Sequence, residues 1–419
     1  MKRKVLAMAM AAVMALGLGA CGEAASSSTA GSAASESKSS SQSAASASSS
    51  ASSASGTSSA SGTSSASGSS SSAGSNSGAK AGTGEILSTG PNGETATPAT
   101  ELSLTDEEIE EIKAGGYTAA ISFHYGGNDW STAQRQGLED TFKKLGIEVV
   151  AVTDADFAPE QQVADLETIM AKKPDILVSI PTDATSTADA YQRVADAGTK
   201  IVFMDNVPAG FQAGENYVSC VSADNYGNGV IAAQLLGEKL GGKGKIGIIY
   251  YDVDFFVTNQ RLEAFEKTIA EEYPDIEVVS KMGFTDEGAC DVVADAMITQ
   301  HPEVEAIFCH WDIPCEGAMS ALRAAGRDDI YLSTIDLGNN VAKEIALGNI
   351  VGLGAQLPYD QGVAEATLAA YSLLGKDAPD YVAVPAKRVD QENVLEAYTD
   401  VYHIDPPDWL VTAAEEGKK

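Results

Sequence analysis

The sequence of 419 residues predicts an α/β protein of two doubly wound lobes, each built around a parallel sheet. Three observations predict it. From residue 117 onward, apolar runs rich in Ile and Val alternate with amphipathic helical patterns, as in sheets covered on both faces by crossover helices. The part that carries this alternation is too long for one core of about 250–300 residues. Finally, aromatic and acidic residues gather just past the strand ends, where such sheets receive ligands.

The chain opens with Lys2, Arg3 and Lys4, followed by an apolar run from Val5 to Ala20. That run is short for a bilayer span, which needs about 20 residues, and suits a secretory signal segment over residues 1–20. It ends in "LGAC", Leu18 to Cys21, which resembles a bacterial lipobox; the resemblance implies cleavage before Cys21 and lipidation of its thiol. The next stretch is almost wholly Ser, Ala, Gly and Thr. It lacks the apolar surface to offset its ordering entropy, so residues 21–100 are expected to form a disordered tether. About 60 such residues reach on the order of 40 Å, which suits a Gram-positive surface. A short helix is expected over 101–116, with Thr105 and Glu108 at capping-box spacing and Gly115-Gly116 as its stop.

Ten strands follow in order: Thr118–His124, Glu148–Thr153, Ile176–Ile180, Lys200–Asp205, Tyr217–Ser222, Lys245–Tyr251, Glu277–Lys281, Ala306–Cys309, Ile330–Ile335 and Val351–Gln356. Helical patterns separate them. The first carries Leu138, Phe142 and Leu145 on one face, with Ser131 as its expected N-cap and Gly146 as its stop.

The formal net charge of −32 argues against nucleic acid or anionic lipid as a partner. Once Cys21 is set apart, Cys220, Cys290, Cys309 and Cys315 allow three full pairings, and free buried thiols are expected. Gly237, Gly242 and Lys243 approach a phosphate-loop spacing, but Gly244 stands where Ser or Thr belongs, and a helix rather than a strand precedes them. Cys309, His310, Asp312 and Cys315 match no common zinc spacing, so no metal or other cofactor is expected. No nucleophile elbow or single acid–base pair marks an enzyme.

Two strand ends stand out. "HYGGNDW" places His124, Asn128, Asp129 and Trp130 together, and "HWD" does the same with His310, Trp311 and Asp312; these stretches hold half of the four His and two of the three Trp. Asp205 with Asn206, and Asp336, close two further strands. A helix cap or turn explains a lone Asp but not Trp at the same places. Carboxylates that accept hydroxyl hydrogen bonds, beside indole faces that lie on C–H surfaces, suit a small polyhydroxylated ligand. No Arg or Lys cluster speaks for an anionic one. Acids with aromatics also suit a cation, which is retained as an alternative.

The order of "PTDA" (Pro181–Ala184), Asp205, "SADNYGNG" (Ser222–Gly229), "RLEAF" (Arg261–Phe265), "TIDLG" (Thr334–Gly338) and "AQLPYDQG" (Ala355–Gly362) resembles the type 1 periplasmic sugar-binding proteins that feed ABC importers. The resemblance implies a periplasmic-binding-protein-like fold with a three-crossing hinge. Its N-lobe would comprise 117–223 plus 357–385, and its C-lobe 224–356 plus 386–419. By position it implies ligand contacts at Asn128, Trp130, Asp205, Asn259, Trp311, Asp336 and Gln356, with Asp205 and Asp336 as hydroxyl acceptors and the two Trp as stacking surfaces. Asn206 and Asn259 stand where the ribose-binding pattern has Arg, which argues against ribose itself. The implied protein is a monomer anchored at Cys21 on the outer face of the cell membrane, passing a neutral sugar or polyol to a permease. A surface sensor that signals to a receptor kinase is the other functional class. A sugar-binding repressor shares this core, but a signal segment and tether occupy the place of its DNA-binding module.

Overall fold

The computed structural model describes residues 84–419. The signal segment, Cys21 and most of the Ser-rich stretch lie outside the described residues. Those residues form two α/β lobes around two sheets. The first sheet contains β1 (Thr97–Pro98), β2 (Thr118–Phe123), β3 (Glu148–Asp154), β4 (Ile176–Ser179), β5 (Lys200–Met204) and β6 (Ser219–Ala223). The second contains β7 (Lys243–Tyr251), β8 (Asp275–Phe284), β9 (Ala306–Cys309), β10 (Tyr331–Ile335) and β11 (Gly352–Ala355). Two late strands divide between them: β12 (Tyr381–Val384) joins the first sheet, and β13 (Lys387–Asp390) the second.

Both sheets repeat one arrangement. The first runs β1-β12-β6-β5-β4-β2-β3 and the second β13-β11-β10-β9-β7-β8. Within each lobe, five successive strands therefore lie in the order 2-1-3-4-5, all parallel; among the named strands of the described residues, only β13 on β11 pairs antiparallel. In this order the connections leave the first and third strands toward opposite faces, which opens a crevice beyond their carboxyl ends. The crevice lies past β2 and β4 in one lobe, and past β7 and β9 in the other.

Helices cover both sheets: α1 (Asp106–Gly115), α2 (Asp129–Leu145), α3 (Pro159–Lys172), α4 (Ala188–Asp196), α5 (Asn225–Lys239) and α6 (Phe256–Glu272). The later ones are α7 (Cys290–Gln300), α8 (Asp312–Ala325), α9 (Asn339–Leu347), α10 (Pro358–Leu374), α11 (Val394–Tyr402) and α12 (Asp408–Glu416). The chain crosses between lobes three times, from β6 to α5, from β11 to α10 and from β12 to β13. Helix α10 returns to pack on α2 at Gly137 and Gly362, where any side chain would strike the backbone of the opposite helix. The capping box of Thr105 and Glu108 is formed, and Gly116 ends α1 at φ 65°. Cys220, Cys290, Cys309 and Cys315 are buried and unpaired.

Two expectations need correction. The tether expected over 21–100 ends earlier, because residues 84–100 belong to the fold. Leu87 and Ser88 donate backbone N–H groups to the Asp224 carboxylate at 3.1 and 2.9 Å, and the Ser88 hydroxyl adds a third bond at 2.8 Å. Asp224 is buried, so its charge needs these donors, and β1 then pairs with β12. The N-cap expected at Ser131 is instead Asn128, whose side-chain oxygen accepts from the Ser131 N–H at 2.7 Å. Both residue types cap well, and the earlier one begins the helix.

Candidate functional site

The fourth strand of each lobe ends in an aspartate whose backbone turns left-handed. Asp205 follows β5 at φ 55° and Asp336 follows β10 at φ 70°. Few residues other than Gly adopt this region, and Asp is among those that tolerate it. The turn lifts each carboxylate off its sheet and points it into the gap between lobes. The next strand orients each one: Ser222 on β6 donates its hydroxyl to Asp205 at 2.6 Å, and the Gln356 amide past β11 donates to Asp336 at 2.8 Å.

Both carboxylates line one interlobe cavity, whose space for solvent is about 50 Å³. The N-lobe contributes His124, Tyr125, Trp130, Phe157 and Ile180 as well as Asp205. The C-lobe contributes Tyr251, Phe255, Arg261, Trp311, Asp312 and Asp336, and Gln356 sits at the second crossing. Seven of the fifteen lining residues are aromatic. Trp311 stands edge-on to Tyr251 with centroids 5.4 Å apart, and its indole N–H donates to Glu287 at 3.2 Å. His124 stacks on Phe255 at 5.7 Å, which joins the two lobes across the cleft.

Arg261, in the second turn of α6, is the sole cation among the lining residues. It donates to the Asn225 side chain at 2.8 Å and to the His310 carbonyl at 3.3 Å, and stands 3.6 Å from the Asp336 carboxylate. Burial pushes the Asp205 carboxyl up to about 6. Burial also raises Asp336, with Arg261 pulling back. It raises Asp312 further, and the Asp336 charge adds to the effect. Burial lowers His124 to about 3, and burial followed by the Arg261 charge does the same for His310. Both imidazoles are therefore neutral at physiological pH.

The structure brings together His124, Trp130, Asp205, Trp311, Asp312, Asp336 and Gln356 from the set read in the sequence. The other four lie elsewhere. Asn128 caps α2. Asp129 accepts two bonds from Asn339 of the opposite lobe, from its backbone N–H at 2.7 Å and its side chain at 2.8 Å. Asn206 and Asn259 line a separate cavity that includes Pro91 and Asn92, and Asn259 donates to Asp254 at 2.9 Å. His310 is not among the lining residues; its Nδ1 accepts from the Tyr251 N–H at 3.1 Å while its carbonyl holds Arg261. Among the described residues no group of three or more His, Cys, Asp or Glu could hold a metal ion.

Sequence reasoning missed Tyr125, Phe157, Tyr251, Phe255 and Arg261. Tyr125, Tyr251 and Phe255 sit in the same strand-end stretches as the residues it selected, so the signal was present. Arg261 heads the "RLEAF" segment that carries the resemblance, but it lies past the strand end inside an ordinary helical pattern, which does not set it apart as a cleft residue.

A family model described as a periplasmic binding protein domain matches residues 103–377. The ribose import binding protein RbsB of Bacillus subtilis is 25% identical over 278 residues, covering 66% of this chain and 88% of that protein. The xylitol-binding protein of Mycolicibacterium smegmatis is 23% identical over 264 residues, 62% of this chain and 74% of that protein. Among solved structures, an ABC transporter solute-binding protein from Agrobacterium vitis, bound with alpha-D-tagatopyranose, aligns at TM-score 0.64 and 23% identity, covering 70% of this chain and 100% of that one. A periplasmic solute-binding protein from Actinobacillus succinogenes, with bound D-allose, aligns at TM-score 0.61 and 25% identity, covering 66% and 99%.

Proposed function

The chain belongs to the periplasmic binding protein domain family, and from that premise we propose that it captures a sugar or polyol between its lobes and delivers it to an ABC importer. One observation carries the reading: Asp205 and Asp336, from different lobes, line a single cavity together with Trp130 and Trp311. A ligand whose hydroxyls meet both carboxylates binds the closed arrangement more tightly than the open one, so occupancy shifts the population toward closure. Hydrogen bonds to charged acceptors are worth about 1.5–3 kcal/mol each, and a few of them with stacking reach micromolar affinity, about −8 kcal/mol. The names of the similar proteins, which include ribose, xylitol, tagatose and allose among their ligands, support the ligand class.

We place the protein outside the cytoplasm, anchored through Cys21, on the basis of the "LGAC" sequence; loss of lipid labelling on Cys21→Ser tests that part. The function is tested by a thermal-shift screen of the full chain against pentoses, hexoses, deoxysugars, amino sugars and polyols. At least one of these is expected to raise the melting temperature. A flat response across the whole panel would sink the reading.

A further inference from the structure

The cleft carries more negative charge than it balances. Asp205, Asp312 and Asp336 line it against the single cation Arg261, which is engaged by Asp336, Asn225 and the His310 carbonyl. No Lys, Arg or His stands within ion-pair distance of Asp205 or Asp312 among the described residues. Asp312 is the most exceptional of the three. It is only 7% exposed, its Oδ1 accepts the Ile313 N–H at 2.9 Å, and among the described residues its Oδ2 receives no donor. Nδ1 of His124 and Nε1 of Trp130, also on the cavity wall, are buried without partners. A carboxylate so little exposed, with one donor and no cation, is costly to keep charged, and a bound group that supplies both a donor and a positive charge would lower that cost.

The walls fit the same kind of group. Tyr125, Trp130, Tyr251, Phe255 and Trp311 present π-systems to the cavity, and aromatic faces attract cations by their quadrupoles. Glu287, accepting the Trp311 N–H, adds a further negative charge behind that ring.

We propose that the ligand is a polyhydroxylated amine, an amino sugar or amino polyol, whose ammonium group is recognised by Asp312 among the aromatic walls. This rests on the proposed function and narrows its ligand class; it departs from the neutral ligand favoured by the sequence. Asp205 and Asp336 remain the acceptors for hydroxyl groups. Burial, with the Asp336 charge adding to it, holds the Asp312 carboxyl above the usual carboxylate range, so a cation bound beside it favours the charged form.

The test is calorimetric titration of the full chain at neutral pH with matched pairs: glucosamine and glucose, galactosamine and galactose, 1-amino-1-deoxyglucitol and glucitol, with N-acetylglucosamine as the uncharged nitrogen control. At least one amine is expected to bind about tenfold or more tightly than its hydroxyl parent, the difference between a charged and a neutral hydrogen-bonded pair. Its affinity is expected to fall as salt rises, and the preference to disappear in Asp312→Asn. The salt response of the unaltered protein keeps the test decisive if that variant misfolds. Neutral parents that bind as well as the amines overturn the proposal and leave sugar binding standing. A preference that survives Asp312→Asn overturns the role of Asp312. Failure of every amine and every parent overturns this inference, and the proposed function falls with it only if the wider melting screen is flat as well.

Discussion

The two lobes end their fourth strands alike, yet the carboxylates they present stand in different surroundings. Asp205 and Asp336 share a left-handed backbone and a partner on the next strand. Asp336 also has Arg261 at 3.6 Å, with both side chains nearly buried. Among the described residues Asp205 has no cation within that distance, and burial pushes its carboxyl up to about 6. The C-lobe half of the cleft is therefore held by a preformed network that reaches from Asp336 through Arg261 to Asn225 and His310. The N-lobe half keeps a carboxylate held by the Ser222 hydroxyl alone. Both aspartates face the ligand, but the C-lobe one also belongs to a network that stabilises the fold.

The largest expected effect breaks the C-lobe network. Arg261→Met leaves Asp336 buried without its cation, and removing one partner of a buried pair costs about 3–5 kcal/mol. Urea denaturation of the ligand-free variant should show that loss as a lower midpoint, and an unchanged midpoint would remove the contrast between lobes.

Asp205→Asn is expected to act in the opposite direction. Its carboxyl ordinarily titrates at 3.8 and in the fold near 6. Between those values the folded chain holds the proton more tightly than the unfolded one, so this group's contribution to stability falls as pH rises from about 4 to about 6. The Asn variant escapes that loss and keeps the tolerance for positive φ. At pH 7 it should be more stable than the parent by on the order of 2–3 kcal/mol, and at pH 4 the two should coincide. Melting curves of both proteins at the two pH values measure this.

A smaller effect concerns the join between lobes. Asp129→Ala removes the two bonds to Asn339 and touches no residue of the cavity wall except through its neighbour Trp130. A partly exposed pair of this kind contributes about 1 kcal/mol, so the closed population and the ligand affinity should each fall about fivefold. Small-angle scattering with and without ligand reads the first, and titration the second.

The strand pattern was legible because parallel strands buried on both faces are dominated by apolar residues, as in Ile176–Val178 of β4 and Ala306–Cys309. The switch points also showed in the sequence, since Trp130 and Trp311 have no place in ordinary turns. β12 and β13 were not legible. Each has four residues and no crossover helix between them, and each gains its place from the hinge. Asp129 was selected for the cleft, but its partner Asn339 lies 210 positions away in the other lobe, a separation no local pattern encodes. Asn206 adjoins Asp205, whose left-handed turn sends the next side chain toward a different cavity.

Titration of one stabilising carbohydrate, identified by the melting screen, into the parent, Asp205→Asn and Asp336→Asn tests the bridging of the lobes most directly. Each substitution removes a charged acceptor from a different lobe, so each should weaken binding about tenfold to a hundredfold. If either variant binds as tightly as the parent, while both still melt cooperatively, the ligand does not span the two lobes through these aspartates.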